Sequence, residues 1–305
     1  MESDDPTEDA GIDSRLDSLE RSVREITALQ IGLRDEMRSR WREEDALLRL
    51  LVERAEVQIE TTRRDRDRIT ELRQRLERFR LSDDYERLWD DPTPLVSVRI
   101  ASYQNTDALV ETAIESVLRQ TYQNFEIVVV NDGPNPRTRA AIMELRDDRI
   151  RYEETPARGD YPTDAHLRWM VAGSPAMNHA ARLARGVWIA PLDDDDEFVE
   201  DHLEKLVSLA RRERAELAYG ALIQRDKESG VDRLIHSDPP QPGQFSFQSV
   251  IYAAALRFFE YDTESWRVGE PGDWNLVRRM SLAGVRMAST PDIHAIMNFV
   301  RFDRR

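Results

Sequence analysis

The sequence predicts an α/β fold, a layered domain with a mostly parallel central sheet, preceded by a long α-helical coiled coil. Two contrasts predict it. Between residues 95 and 223 short apolar runs alternate with amphipathic stretches, as parallel strands do with the crossover helices that cover them. Residues 1 to 91 are built instead from Arg, Glu, Asp and Leu, with proline only at 6 and glycine only at 11 and 32.

Taken in order, residues 1–14 read as an acidic disordered tail and 15–90 as the coiled-coil region. Leu16, Leu19, Val23 and Ile26, then Leu33 and Met37, follow steps of three and four, and Ile69, Leu72, Leu76 and Phe79 resume them. Leu47, Leu51, Ala55 and Ile59 keep a helical stripe between, while the charged run from Thr62 to Arg68 marks a stutter or hinge. Such a stripe is buried by self-association, giving a homo-oligomer, or by docking on a partner; the alternative is a single solvated helix. Asp90, Asp91, Pro92 and Pro94 end the helix, so a domain begins at 92 and runs to 305.

In that domain strands are predicted over 95–101, 125–130, 150–152 and 187–192, and helices over 107–120, 136–145, 174–185 and 200–212. After the run 217–223 the pattern loosens into a Pro and Gly cluster, 239–243, and an aromatic-rich stretch, 245–266.

Lys plus Arg is 44 and Asp plus Glu is 59, a net charge of -15 that disfavours nucleic acid as a partner. No cysteine is present, so disulfides, thiolate metal sites and thiol nucleophiles are excluded. No apolar run reaches the ~20 residues of a membrane span, and the acidic start is unlike a signal peptide. The expectation is a cytoplasmic protein.

Ligands of open α/β sheets gather beyond the carboxyl ends of the strands. The run 187–192 leads straight into Asp193, Asp194, Asp195 and Asp196. Alternation along an extended segment turns Asp193 and Asp195 one way and Asp194 the other. A divalent cation, Mn²⁺ or Mg²⁺, would make such a cluster stable and attract a diphosphate. A solvated loop or a helix N-terminal decoration explains the run equally well. A calcium loop is opposed by Phe198, where that template needs glycine, and by the preceding strand. The second exit, Asn131-Asp132-Gly133, is first a turn signal. The third is Ala101-Ser102-Tyr103-Gln104-Asn105.

With the helix 113–122 between the exits at 101–105 and 131–133, and with Asn178, Ala180, Ala181, Gly186, Trp188 and the aspartate run in order, the sequence resembles family 2 glycosyltransferases of the GT-A fold. The resemblance covers about residues 95–290. It implies a donor half of about 95–200, an acceptor half of about 201–305, and a nucleotide-diphosphate donor, of UDP type, whose sugar passes to a carbohydrate or other hydroxyl acceptor. By it, Asp132 bonds a uracil-like base, Asp193 contacts the ribose, Asp195 ligates the metal and Asp196 is a reserve ligand. Ala101, Ser102, Tyr103, Asn105, Asn178 and Asp194 join the donor site, with Arg158 as a phosphate contact. Asn131 stands where the family often has a second Asp.

Inverting transfer needs a carboxylate to take the acceptor proton. Glu270-Pro271-Gly272-Asp273-Trp274 resembles the family's Asp-Trp element, which implies Asp273 as base with Trp274 beside the acceptor. From the residues alone, Asp273 reads as a helix N-cap. None of the five histidines has zinc-type spacing. His294 is noted because some enzymes of this fold complete the metal shell with a late histidine. Trp266 and its aromatic neighbours either stack on a sugar or belong to the core. The competing reading of the whole chain is a non-catalytic coiled-coil assembly protein with a degenerate nucleotide-sugar-binding domain. A nucleotidyltransferase is disfavoured because no glycine-rich basic loop follows the first strand.

Overall fold

The computed structural model describes residues 25–29, 32, 68–226 and 229–299. The chain divides into two compact units, Met1–Glu60 and Thr61–Arg305. In the first, residues 25–29 and 32 are helical and Ile26 and Leu29 are exposed. The acidic tail over 1–14, the remaining seam up to residue 67 and any pairing with a second copy lie outside the described residues.

The second unit contains a helix over residues 68–80, α1. The stripe predicted there is buried, but the domain itself covers it: Leu72 and Leu76 join the core and Phe79 packs alongside. Arg80 binds Glu216 through Nε at 2.6 Å and Nη2 at 2.8 Å, and the Tyr85 hydroxyl donates to the same carboxylate at 3.0 Å. Arg68 pairs with Asp262 at 2.7 Å. A repeat of three and four residues says that one helix face leaves water, not which surface receives it. After α1, the short helix α2 (Asp83–Arg87) turns Tyr85, Leu88 and Trp89 into the same core.

The strands are β1 (Val96–Ser102), β2 (Phe125–Asn131), β3 (Ile150–Glu154), β4 (Trp188–Asp193), β5 (Glu197–Phe198), β6 (Leu217–Asp226), β7 (Asp232–Ile235), β8 (Val250–Ala253) and β9 (Met287–Phe299). Among the described residues they form one sheet ordered β3-β2-β1-β4-β8-β6-β9-β5, with β7 paired to β6. β3, β2, β1 and β4 are parallel, as their apolar runs predict. Beyond β4 the sheet is mixed. β8 runs antiparallel to both β4 and β6, β7 is the second arm of a hairpin with β6, and β5 is antiparallel to β9. Only β6 and β9 are parallel there. The mostly parallel sheet is thus a property of the first half, because crossover helices keep strands parallel and a hairpin reverses them.

Helix α3 begins at Thr106–Ala108, takes a π-helical stretch over Leu109–Ile114 and ends as α-helix at Glu115–Leu118. α4 (Pro136–Glu144) is capped by Asn135, whose side chain accepts from Thr138 N at 3.2 Å. α5 (Ala165–Trp169) and α6 (Ser174–Leu183) follow. Ala176 and Ala180 of α6 meet Ala101, Val128 and Val130 of the sheet, small side chains that let the helix lie close. α7 (His202–Glu213) packs against β6 and β9, and α8 (Gly272–Ala283) precedes β9.

Candidate active site

Strand register assembles the site. Ala101 pairs across with Val130 on one side and Asp193 on the other, so the exits of β1, β2 and β4 share one edge. A cavity of about 490 Å³ opens there, lined by Ala101, Ser102, Tyr103, Asn105, Asp132 and Asp194 among others. A second cavity of about 550 Å³ holds Asp196, Asp273 and Trp274. Asp193 and Asp195 line both.

Each acid is held differently. Asp194 turns back to accept Ser102 Oγ at 2.7 Å, Asn105 Nδ2 at 3.1 Å and Tyr103 N at 3.3 Å, fastening the end of β1. Burial pushes its pKa up to about 6, against those hydrogen bonds. Asp193 accepts from the Gln248 amide. Burial and then the neighbouring Asp273 push Asp193 up to about 7, with Arg99 opposing. Asp196 is buried, accepts Asn298 N at 2.7 Å, and is held well above its ordinary value by burial and by Asp193 and Asp195. Asp195 accepts Asn298 Nδ2 on its backbone carbonyl at 2.7 Å.

Asp132 orders the loop beyond β3. Its Oδ1 accepts Gly159 N at 2.9 Å and its Oδ2 the Tyr161 hydroxyl at 2.6 Å. Burial, and after it the bond to Asp132, pushes the Tyr161 phenol above its ordinary pKa. Gly133 has φ +93°, and a Cβ there would stand 2.9 Å from Arg158 N, so the turn admits the loop only as glycine. Arg158 itself lies over Tyr103, 4.0 Å from the ring centroid.

Asp273 occupies the first turn of α8 without capping it; Pro271 is the N-cap and no side chain bonds the end. Its Oδ2 accepts Ser246 Oγ at 2.8 Å and Phe247 N at 2.9 Å, while Oδ1 accepts the Tyr261 hydroxyl at 3.0 Å. A carboxylate oxygen has two lone-pair sites, so Oδ2 is filled by these bonds and Oδ1 keeps one.

Four expected residues line neither cavity, and Arg158, stacked over Tyr103, is one of them. Asn178 holds the backbone of Tyr261, donating to its carbonyl at 2.9 Å and accepting its N–H at 2.8 Å, and lines neither cavity. Trp266 sits half-buried in a 3₁₀ turn, with Arg267 5.2 Å from its ring, outside both cavities. His294 is fully buried, edge-on to His202 at 5.6 Å and packed against Gly220, again outside both. Burial lowers its pKa to about 4.

Residues 97–270 match the family described as Glycosyl transferase family 2. The chain belongs to glycosyl transferase family 2. Relatives of this family 2 chain include two from Escherichia coli, each named a UDP-Glc:alpha-D-GlcNAc-diphosphoundecaprenol beta-1,3-glucosyltransferase. WfgD is 34% identical over 41% of this chain and 45% of its own length, and WfaP 33% identical over 54% and 56%. The chain thus spans about half the length of those relatives. Among solved structures, S. aureus TarS 1-349 with UDP-GlcNAc aligns at TM-score 0.52 and 15% identity, covering 68% of this chain and 59% of that one. The mannosyltransferase PcManGT from Pyrobaculum calidifontis, with GDP-Man and Mn²⁺, aligns at 0.50 and 19%, covering 72% and 64%. At such identities the likeness shows the GT-A fold.

Sequence reasoning missed Gln248 and Asn298, which bond Asp193 and Asp195 with Asp196; they lie in the loosened half, where nothing marked them. Tyr261, which bonds Asp273, was marked only as one of the aromatic neighbours of Trp266. Arg99 also went unread, although a charge inside an otherwise small and apolar strand is the signal that could have found it.

Proposed function

We propose that this chain transfers a sugar, with inversion, from a UDP-sugar to a hydroxyl acceptor, using Mg²⁺ or Mn²⁺. The observation that carries the reading is the wall formed by Asp193 and Asp195 between the two cavities, with Asp273 in the second. A donor diphosphate at that wall places the sugar's anomeric carbon where both cavities meet. The UDP-linked names of WfgD and WfaP and the UDP-GlcNAc bound to TarS support the donor class.

The side chains proposed for the cation offer oxygen alone, the chemistry of a hard ion delivered with its diphosphate, since Mg²⁺ commonly takes one or two carboxylates with phosphate oxygens. Among the described residues no group of three His, Cys, Asp or Glu side chains could hold a metal ion by itself. Asp195 is the proposed ligand and Asp196 the reserve; His294 is set aside by its position. The cation, when bound, supplies positive charge to the leaving diphosphate.

Asp273 Oδ1 takes the acceptor hydroxyl proton through its remaining lone pair. The acceptor oxygen then bonds the anomeric carbon as the bond from that carbon to the diphosphate oxygen breaks, and UDP leaves with the electron pair. Trp274 offers an aromatic wall to the acceptor.

Calorimetric titration of UDP with and without Mn²⁺, beside UDP release from UDP-sugars, tests the reading. Asp195→Ala is expected to lose Mn²⁺-dependent UDP binding, and Asp273→Asn to bind UDP normally and release none from UDP-sugar. Equal loss of binding in both rejects the separate roles, and a wild-type chain that binds but never turns over supports the non-catalytic alternative.

A further inference from the structure

β1 places one charged residue, Arg99, among small and apolar neighbours, and only 1% of it is exposed. A guanidinium is costly to bury, and a carboxylate at bonding distance is its usual answer. Arg99 Nη2 donates to the Tyr261 hydroxyl at 2.8 Å, with the guanidinium 5.1 Å from the ring centroid. That hydroxyl has one proton, and it points to Asp273 Oδ1 at 3.0 Å. The three groups form a chain from the middle of the sheet to the acceptor cavity.

The electrostatics agree with the geometry. Burial works against the charge on Arg99, yet Tyr261, Tyr252, Asp193 and Asp273 together hold its pKa above the ordinary value. In turn Arg99 opposes the repulsion that Asp273 exerts on Asp193. A well-packed apolar side chain in place of a buried ion is often neutral or stabilising, so the cation points to a role at the site.

We propose that Arg99 is a positioning residue for the transfer: it fixes the Tyr261 hydroxyl as a donor to Asp273 Oδ1 and so aims that oxygen's remaining lone pair at the acceptor. The inference rests on the reading of Asp273 as the base. Tyr261 is the intermediary, itself held at its backbone by Asn178.

The test measures UDP release from UDP-glucose with Mn²⁺, and UDP affinity by calorimetry, on the full chain. Wild type is compared with Asp273→Asn, Tyr261→Phe, Arg99→Met, Arg99→Lys and the Arg99→Met/Tyr261→Phe double variant. Tyr261→Phe and Arg99→Met are each expected to lower kcat by about tenfold or more while KM and UDP affinity stay within about twofold. Arg99→Lys, which keeps the charge, recovers part of the loss. The double variant is no slower than the worse single one, since both break the same chain. Full kcat in Tyr261→Phe, additive losses in the double variant, or UDP affinity falling with kcat overturns the inference. Should Arg99→Met not fold, Tyr261→Phe, which keeps the ring, decides alone. A wild-type chain that releases no UDP, or an Asp273→Asn variant as fast as wild type, removes the base reading itself and this inference with it. An inactive Asp273→Asn beside fully active Tyr261→Phe and Arg99→Met removes the inference only.

Discussion

Asn298 grips two successive aspartates: its backbone N–H donates to Asp196 Oδ1 and its side-chain Nδ2 to the Asp195 carbonyl, both at 2.7 Å. The acid run leaves β4, and its shape is set by a residue of β9 more than one hundred positions away. Asn298→Ala removes the second bond and keeps the first. It is expected to cost about 1 kcal/mol of stability and to lower UDP release from UDP-glucose by about tenfold through a loosened Asp195. Thermal melts and turnover check the two numbers, and unchanged turnover would show that Asp195 needs no such brace.

Glu216 ties α1 to the body of the domain. It is fully buried and accepts Arg80, the Tyr85 hydroxyl and Arg286 N, the last at 2.8 Å. Arg80→Ala leaves that carboxylate buried without its cation, an expected loss of about 3 kcal/mol. Urea unfolding reads it as a lower midpoint at constant slope.

The acid rim makes the metal-free domain sensitive to pH. Burial, followed by the nearby Asp273, holds Asp193 at about 7 against an ordinary 3.8. Between those values the native state binds more protons than the unfolded chain, so this contribution favours folding on the acid side and is lost as pH rises through about 7. Asp193→Asn is therefore expected to melt roughly 5 °C above wild type at pH 8, with the gap narrowing below pH 7 and closing as pH falls to the ordinary value of 3.8. Equal melting temperatures at pH 8 would contradict the burial of that charge.

Gly220 makes room for His294. A Cβ there would come 2.0 Å from His294 Cδ2 and 2.9 Å from the Asp292 carbonyl. Gly220→Ala is expected to destabilise the domain by about 1–3 kcal/mol. Adding His294→Ala recovers part of it in the same melt, because the clashing ring is gone.

The first half of the domain was legible because each of its elements carries its own signal. Apolar runs mark β1, β2 and β4, rich in β-branched residues in the first two, and Pro136 after Asn135 marks the start of α4. The carboxylates at the exits follow from the strands. In the second half Val250–Ala253 is a four-residue strand between a 3₁₀ turn and another, too short for alternation to show. β9 carries Pro291, a residue that argues against a strand interior. The bonds that hold Asp193 and Asp195 come from such stretches, through Gln248 and Asn298.

By itself the sequence determined that strands alternate with helices, that four aspartates leave one of them, and that α1 has one apolar face, because propensity and periodicity are local. Tertiary structure alone decided that α1 lies on its own domain, that Asp273 faces the aspartate rim instead of capping α8, and that Arg99 reaches it through Tyr261. Those outcomes depend on which surfaces meet, and a hydrogen bond across 162 residues leaves no mark on the spacing of either partner.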